Sequence, residues 1–203
     1  MPVRALAIGD IHTETELLVR ALALGREHGV DRVLSVGDIV DGPNDPVACI
    51  AALQAANADV VRGNHERWVT EGHPLEPFDY PSEILDWIAE LPATREYDTP
   101  TGRLLLCHGI GANDMVRFQP DTEGYALEVL DDIWRLARSG RYRWMIGGHT
   151  HLPMVRTVEG LTVINAGTLV LLQEPCCVIV DFRIGTVEHY SLCPEVKLAA
   201  SWP

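Results

Sequence analysis

The sequence predicts an α/β fold that alternates strand and helix in its front part and is almost wholly β behind. Three observations carry this. Up to residue 147, short apolar runs alternate with segments of helical spacing. Nearly every one of those runs ends in glycine, or in a Cys-His step, and then delivers an Asp, Asn or His. After residue 153 the chain changes to closely spaced strand-like runs joined by glycine turns.

In order, residues 3–8 form a short buried strand ending at Gly9-Asp10. Thr13-Glu14-Thr15-Glu16 has capping-box form, and Leu17, Ala21 and Leu24 keep helical spacing up to Gly29. Residues 32–36 make the next strand, ending at Gly37-Asp38, and Asp45-Pro46 opens a second helix as cap and first residue. Residues 58–61 form a third strand, ending at Arg62-Gly63-Asn64-His65. Ser82 caps a helix carrying Ile84, Ile88 and Leu91 and stopped by Pro92. Residues 103–107 are a strand ending at His108-Gly109. Leu127, Leu130, Trp134 and Ala137 mark a helix, and residues 144–146 lead into Gly147-Gly148-His149-Thr150-His151. Strands follow over 153–157, 161–165, 176–182 and 186–190, with turns at Glu159-Gly160 and Ile184-Gly185. The expected organisation is one domain over 1–203, with an α/β part to 151, a β-rich part over 152–193 and a tail over 194–203.

Composition bounds the function. At 203 residues with 47% apolar and 22% charged residues, the chain can bury a core without staples. No apolar run approaches the ~20 residues of a membrane span, and the start lacks signal-peptide architecture, so a cytoplasmic protein is expected. Five cysteines without a CxxC spacing disfavour both a disulfide framework and a zinc knuckle. A formal charge of −13 argues against bulk nucleic acid or an anionic membrane as partner, but an acidic site attracts cations. A small phosphorylated substrate is the expected partner, and a homo-oligomer is left open.

The metal-capable residues are Asp10, His12, Asp38, Asn64, His65, His108, His149 and His151, all at strand ends. In open α/β sheets, sites form where strands finish, so five consecutive strand ends bearing such groups describe one shared site. Imidazole with carboxylate and no thiolate suits manganese, iron, cobalt, nickel or zinc in a reactive site and fits structural zinc poorly. With His65 set aside, seven candidates are too many for one ion. Two ions roughly 3.5–4 Å apart need a shared ligand, for which a carboxylate such as Asp38 is suited, and can hold a water or hydroxide for in-line phosphoryl displacement.

The ordered set Asp10-x-His12, Gly37-Asp38-x-x-Asp41, Gly63-Asn64-His65-Glu66, His108 and Gly148-His149-x-His151 resembles the calcineurin-like metallophosphoesterases. The resemblance implies two packed mixed β-sheets flanked by helices, and two divalent ions, manganese foremost. It implies that Asp10, His12 and His151 hold one ion, that Asn64, His108 and His149 hold the other, and that Asp38 bridges. It further implies that His65 assists the leaving group, oriented by Asp41, whose carboxylate favours a protonated imidazole. Length and the stretch Asn165-Ala166-Gly167-Thr168 resemble the small bacterial and archaeal phosphodiesterase-type members, which makes Asn165 and Thr168 candidate substrate contacts. Arg62-Gly63-Asn64-His65-Glu66 also echoes protein phosphatases and diadenosine tetraphosphate hydrolases, but Gly42 stands where those carry an arginine clamp. The expected activity is therefore hydrolysis of small phosphodiesters or nucleotide-like substrates. Phosphomonoesterase or diadenosine tetraphosphate hydrolase activity is the alternative, and a non-catalytic scaffold the weaker one.

Other residues read more plainly. Glu66 is a supporting or helix-start residue, and His28, His73 and His189 are surface or loop residues outside every motif. The segments 67–81 and 109–120 are each either a lid or a packed loop, with Arg117 the candidate contact for substrate phosphate. Arg103 and Arg143, at strand starts, belong to the opposite sheet end.

Overall fold

In the computed structural model, which describes residues 1–202, the front part comprises β1 (Arg4–Ile8), α1 (Thr15–Glu27), β2 (Arg32–Ser35), α2 (Pro46–Ala55), β3 (Asp59–Val60), α3 (Asn64–Thr70) and α4 (Ser82–Ala89). Next come β4 (Thr94–Thr99), β5 (Gly102–Cys107), α5 (Gly124–Glu128), α6 (Asp131–Arg138) and β6 (Trp144–Gly147). The strands β7 (Met154–Val158), β8 (Leu161–Asn165), β9 (Cys176–Asp181), β10 (Thr186–Ser191) and β11 (Lys197–Trp202) complete the chain.

These strands build two mixed sheets, one ordered β11-β10-β9-β1-β2-β3 and the other β4-β5-β6-β8-β7. The strands β1, β2 and β3 run parallel, as do β5, β6 and β8, while β9 returns antiparallel against β1. The sheets face each other over a core that mixes Ala5, Ala7, Leu34, Val178 and Val180 with Leu104, Leu106, Trp144 and Ile164. On the outer face of the six-stranded sheet, Leu17, Leu18, Ala21 and Leu22 of α1 and Ile50 and Leu53 of α2 pack over Leu6 and Ile8. On the outer face of the five-stranded sheet, Ile133 and Ala137 of α6 cover Leu105, Met145 and Val163. Removing water from each such Leu or Ile contributes about 1.5–3 kcal/mol. The stacking points the carboxyl ends of β1, β2, β3, β5 and β6 toward one region, where the chain turns polar.

Several expectations are corrected by the packing. Within the expected tail, Lys197–Trp202 form β11, which pairs antiparallel with β10 at the edge of the sheet. The rear strands join both sheets, β7 and β8 extending one and β9 to β11 the other. The capping box at residues 13–16 does not form, because the helix starts one turn-step later behind Glu14 and Thr13 Oγ1 instead accepts from Asn44 N–H at 2.8 Å. Pro81, not Ser82, precedes α4 as its cap. The strand β4 was not expected from its polar sequence Thr-Arg-Glu-Tyr-Asp-Thr. It is an edge strand bonded only to β5, where charged side chains blunt further pairing.

Candidate metal centre

Each site residue sits where a strand has just ended. Asp10 follows β1 and bridges to Thr168, Asp38 follows β2, Asn64 opens α3 after β3, His108 follows β5, and His149 and His151 follow β6. Sharp turns aim these side chains inward. His12, Asp38, His149 and His151 have φ of 42°, 49°, 66° and 61°, and Thr13 and Asp41 have 62° and 55°. These six are among nine described non-glycine residues at positive φ, a costly conformation that collects at functional sites. Gly63 is required by close approach, since a Cβ there would collide with Asp38 Oδ1.

The Asp38 carboxylate is the hub. Its Oδ2 lies 3.2 Å from His108 Nε2, 3.8 Å from His65 Nε2 and 3.9 Å from His12 Nε2. Around it, His12 Nε2 and His151 Nε2 are 3.3 Å apart, His108 Nε2 is 2.9 Å from Asn64 Oδ1, and His151 Nε2 is 4.0 Å from Asp10 Oδ2. Three compact groups share Asp38: with His12 and His65, with His108 and His149, and with Asp10 and His151.

The hydrogen-bond partners fix which ring nitrogen is bare. His12 Nδ1 donates to the Asp41 carbonyl at 3.0 Å and His108 Nδ1 to the Val36 carbonyl at 2.8 Å, because a carbonyl can only accept. His151 Nδ1 pairs with Gln173 Oε1 at 2.6 Å. In each neutral ring the Nε2 lone pair therefore faces the interior, beside carboxylate and amide oxygens that also only accept. Asp10 Oδ2 and His149 Nε2 are buried there without a partner. Lone pairs converging without donors are electrostatically unfavourable unless a cation lies among them, so the residues fit divalent metal.

The proton affinities differ within the cluster. Burial lowers the pKa of His12 and His149, which favours the neutral ring that metal binding requires. For His108 burial also acts downward, but the Asp38 and Asp10 carboxylates outweigh it and push the pKa up to about 10. Asp38 moves the opposite way, held below the usual carboxylate range by His108, His65 and His12 against the effect of burial.

His65 stands at the edge of this cluster. Its Nδ1 is 2.8 Å from Asp41 Oδ2, its backbone N–H donates to Asp38 Oδ1 at 3.0 Å, and its ring lies 4.7 Å from that of Trp68. The Asp41 carboxylate also accepts from Leu75 and Glu76 N–H, both at 3.2 Å, tying the 67–81 segment to the site. Glu66 is fully buried and its two oxygens accept from the N–H groups of Asp38, Ile39, Val40 and Gly63 at 2.7–3.2 Å. Burial pushes its pKa up, opposed by these donors.

Other candidates fall elsewhere. Asn165 and Thr168 are corrected as substrate contacts, because both are buried and their polar atoms are spent on the protein. Asn165 Nδ2 donates to the Gly148 carbonyl at 2.6 Å and to Thr150 Oγ1 at 3.0 Å, and Thr168 Oγ1 donates to the Asp10 carbonyl at 2.8 Å. They hold the metal-site loops in place. His189 is not a surface residue: it is buried, with Nε2 3.0 Å from the Asn165 carbonyl. His73 is exposed and His28 half-buried against Tyr190. Arg117 is exposed and near enough for its charge to act on His149. A side chain at Gly42 would collide with the His12 carbonyl, so no arginine fits there as the chain is folded. Gln173 was missed by sequence reasoning; it sits in no motif, and only its contact with His151 reveals it.

A family model described as the calcineurin-like phosphoesterase superfamily domain matches residues 3–184. An uncharacterised protein of Methanocaldococcus jannaschii is 24% identical over 192 residues, covering 88% of this chain and 74% of that one. Among solved structures, a hypothetical protein of Pyrococcus horikoshii OT3 superposes with a TM-score of 0.74 at 15% identity, over 96% of this chain and 88% of that one. An archaeal protein described as a novel phosphodiesterase gives 0.62 at 17% identity, over 93% and 99% of the two chains. At those identities the structural likeness speaks to the fold.

Proposed function

The chain belongs to the calcineurin-like phosphoesterase superfamily, and from that premise we propose a two-metal hydrolase of small phosphodiesters. The observation that carries this is the single Asp38 oxygen within 4 Å of His12, His65 and His108, which come from different strand ends. Asp10, His12 and His151 would hold one ion, Asn64, His108 and His149 the other, and Asp38 both. The all-N,O ligand set suits manganese first, with iron, cobalt, nickel or zinc also within its chemistry. Bound divalent ions supply Lewis acidity at the phosphoryl group and lower the pKa of attacking water.

The remaining steps belong to the side chains. His65 holds a proton on Nε2 and delivers it to the departing oxygen, while Asp41 accepts from Nδ1 and so settles which nitrogen faces the substrate. Arg117, exposed in the loop that follows His108, would bind a phosphate oxygen. Gly42 cannot carry an arginine clamp for a doubly charged terminal phosphate, because a side chain there would collide with the His12 carbonyl, and this favours diesters over monoesters. The substrate is small, because the net charge of −13 disfavours bulk nucleic acid, and among the described residues no helix is long and apolar enough to cross a membrane.

The test is metal analysis and turnover on one preparation. Protein loaded with Mn²⁺ and desalted is expected to retain close to two ions per chain and to hydrolyse bis-p-nitrophenyl phosphate. Saturation at one ion removes the two-metal reading. A kcat/KM for p-nitrophenyl phosphate about tenfold above that for the diester, equivalent to ~1.4 kcal/mol, overturns the diester preference.

A further inference from the structure

A recess of about 550 Å³ is walled by Arg62, Arg67 and Arg135 together with Asn113, Asp114 and Asp132. Part of its wall comes from chain segments next to the second group of proposed ligands, and the rest from α6. Arg62 lies two residues before Asn64, Arg67 is on the helix that Asn64 opens, and Asn113 and Asp114 follow His108 in the next loop. Arg67 clasps that loop, donating from Nε and Nη2 to the two Asp114 oxygens at 2.7 and 3.1 Å. The clasp gives the recess a fixed wall.

The charges in the recess do not cancel. Arg67 is paired with Asp114 and Glu71, and Arg135 with Asp132 at 3.3 Å. Arg62 is half-buried and forms no ion pair among the described residues, its backbone N–H alone being engaged, by the Pro92 carbonyl. Arg117, in the loop that follows His108, is likewise without an ion pair among the described residues. Arg62 is therefore an unpaired guanidinium in the wall of the recess.

We propose that this recess is an anion subsite in which Arg62 binds a second phosphate of the substrate, remote from the one being cleaved. This rests on the phosphodiesterase reading and narrows it to multiply phosphorylated, nucleotide-sized substrates. A guanidinium meets a phosphate through paired N–H donors, and such charge-assisted bonds are about twice as strong as neutral ones. The recess is of the size that takes a small ligand group (roughly 300–1,000 Å³).

The experiment is calorimetric titration of Mn²⁺-loaded protein with adenosine 5′-monophosphate and with adenosine 3′,5′-bisphosphate. The bisphosphate is expected to bind about tenfold more tightly or better, and Arg62→Gln to cut that ratio to about twofold. Arg62→Lys, which keeps the charge, is expected to retain an intermediate ratio. Because a ratio of two ligands on one protein is read, general loss of folded protein does not imitate the result. Equal affinities in the parent, or a ratio unchanged in Arg62→Gln, overturn the subsite. Hydrolysis of bis-p-nitrophenyl phosphate is scored separately on the same samples. Absent turnover with the ratio intact sinks the catalytic reading alone, and turnover without the ratio sinks the subsite alone.

Discussion

Glu66→Gln changes one oxygen for an NH₂ group and should disrupt the site without touching a proposed ligand. Oε1 accepts from Ile39 and Val40 N–H at 2.7 and 3.2 Å, and Oε2 from Asp38 and Gly63 N–H at 2.8 and 2.9 Å. Whichever way the amide is turned, two backbone donors then face another donor in a fully buried position. An unsatisfied buried donor costs about 1–3 kcal/mol, so the pair costs about 2–6 kcal/mol. For a chain of this size each kcal/mol lowers Tm by about 2–4 °C, which predicts a fall of at least about 4 °C in metal-free protein. The same bonds set the backbone of Asp38, so Mn²⁺ affinity should drop by about 10–100-fold, the usual effect of losing a group that orients a ligand. Thermal melts and Mn²⁺ titrations of parent and variant measure both. A Tm within about a degree of the parent, with unchanged metal affinity, refutes the assigned role of Glu66.

Three further outcomes are expected. Asp38→Asn should lower occupancy of both ions together, read by metal analysis, because one carboxylate serves both; loss of a single ion would argue against the bridge. His65→Ala should keep both ions yet slow turnover by about 10²–10⁴-fold, with a smaller loss for p-nitrophenolate esters than for substrates with basic leaving groups. A lost ion, or an equal loss on both leaving groups, would make His65 a ligand or a structural residue. His189 carries a pH effect. Burial holds its folded pKa below 6.5, so the unfolded chain binds more protons in that range and stability is lost as pH falls through 6.5 toward the folded value. Denaturation of metal-free His189→Gln should therefore show a shallower loss than the parent between roughly pH 7 and 5, and parallel curves would count against it.

How much of this was legible in the sequence depends on the range of each interaction. Asp10, Asp38, Asn64, His108, His149 and His151 stood out because their residue types bind metal and each follows an apolar run. Both features are local. The capping motif at residues 13–16 was local too, yet it misled, because the Asn44 N–H reaches Thr13 from 31 positions away and claims its hydroxyl. The Asn165 and Thr168 pair misled for the same reason: their polar atoms are taken by Gly148, Thr150 and Asp10, up to 158 residues distant.

The sequence by itself determined the succession of strands and helices and the chemistry available at their ends, since hydrophobic period and side-chain type act over a few residues. Only the tertiary structure decided how that chemistry is assembled. The return of β9 against β1, and the pairing of β6 with both β5 and β8, bring His151 to within 3.3 Å of His12 across 139 residues. The same folding gives Glu66 its four donors, His151 its Gln173 and Arg62 its cavity. Such partners are chosen by sheet order and packing, which depend on the whole core at once and leave no periodic trace near the residues they govern.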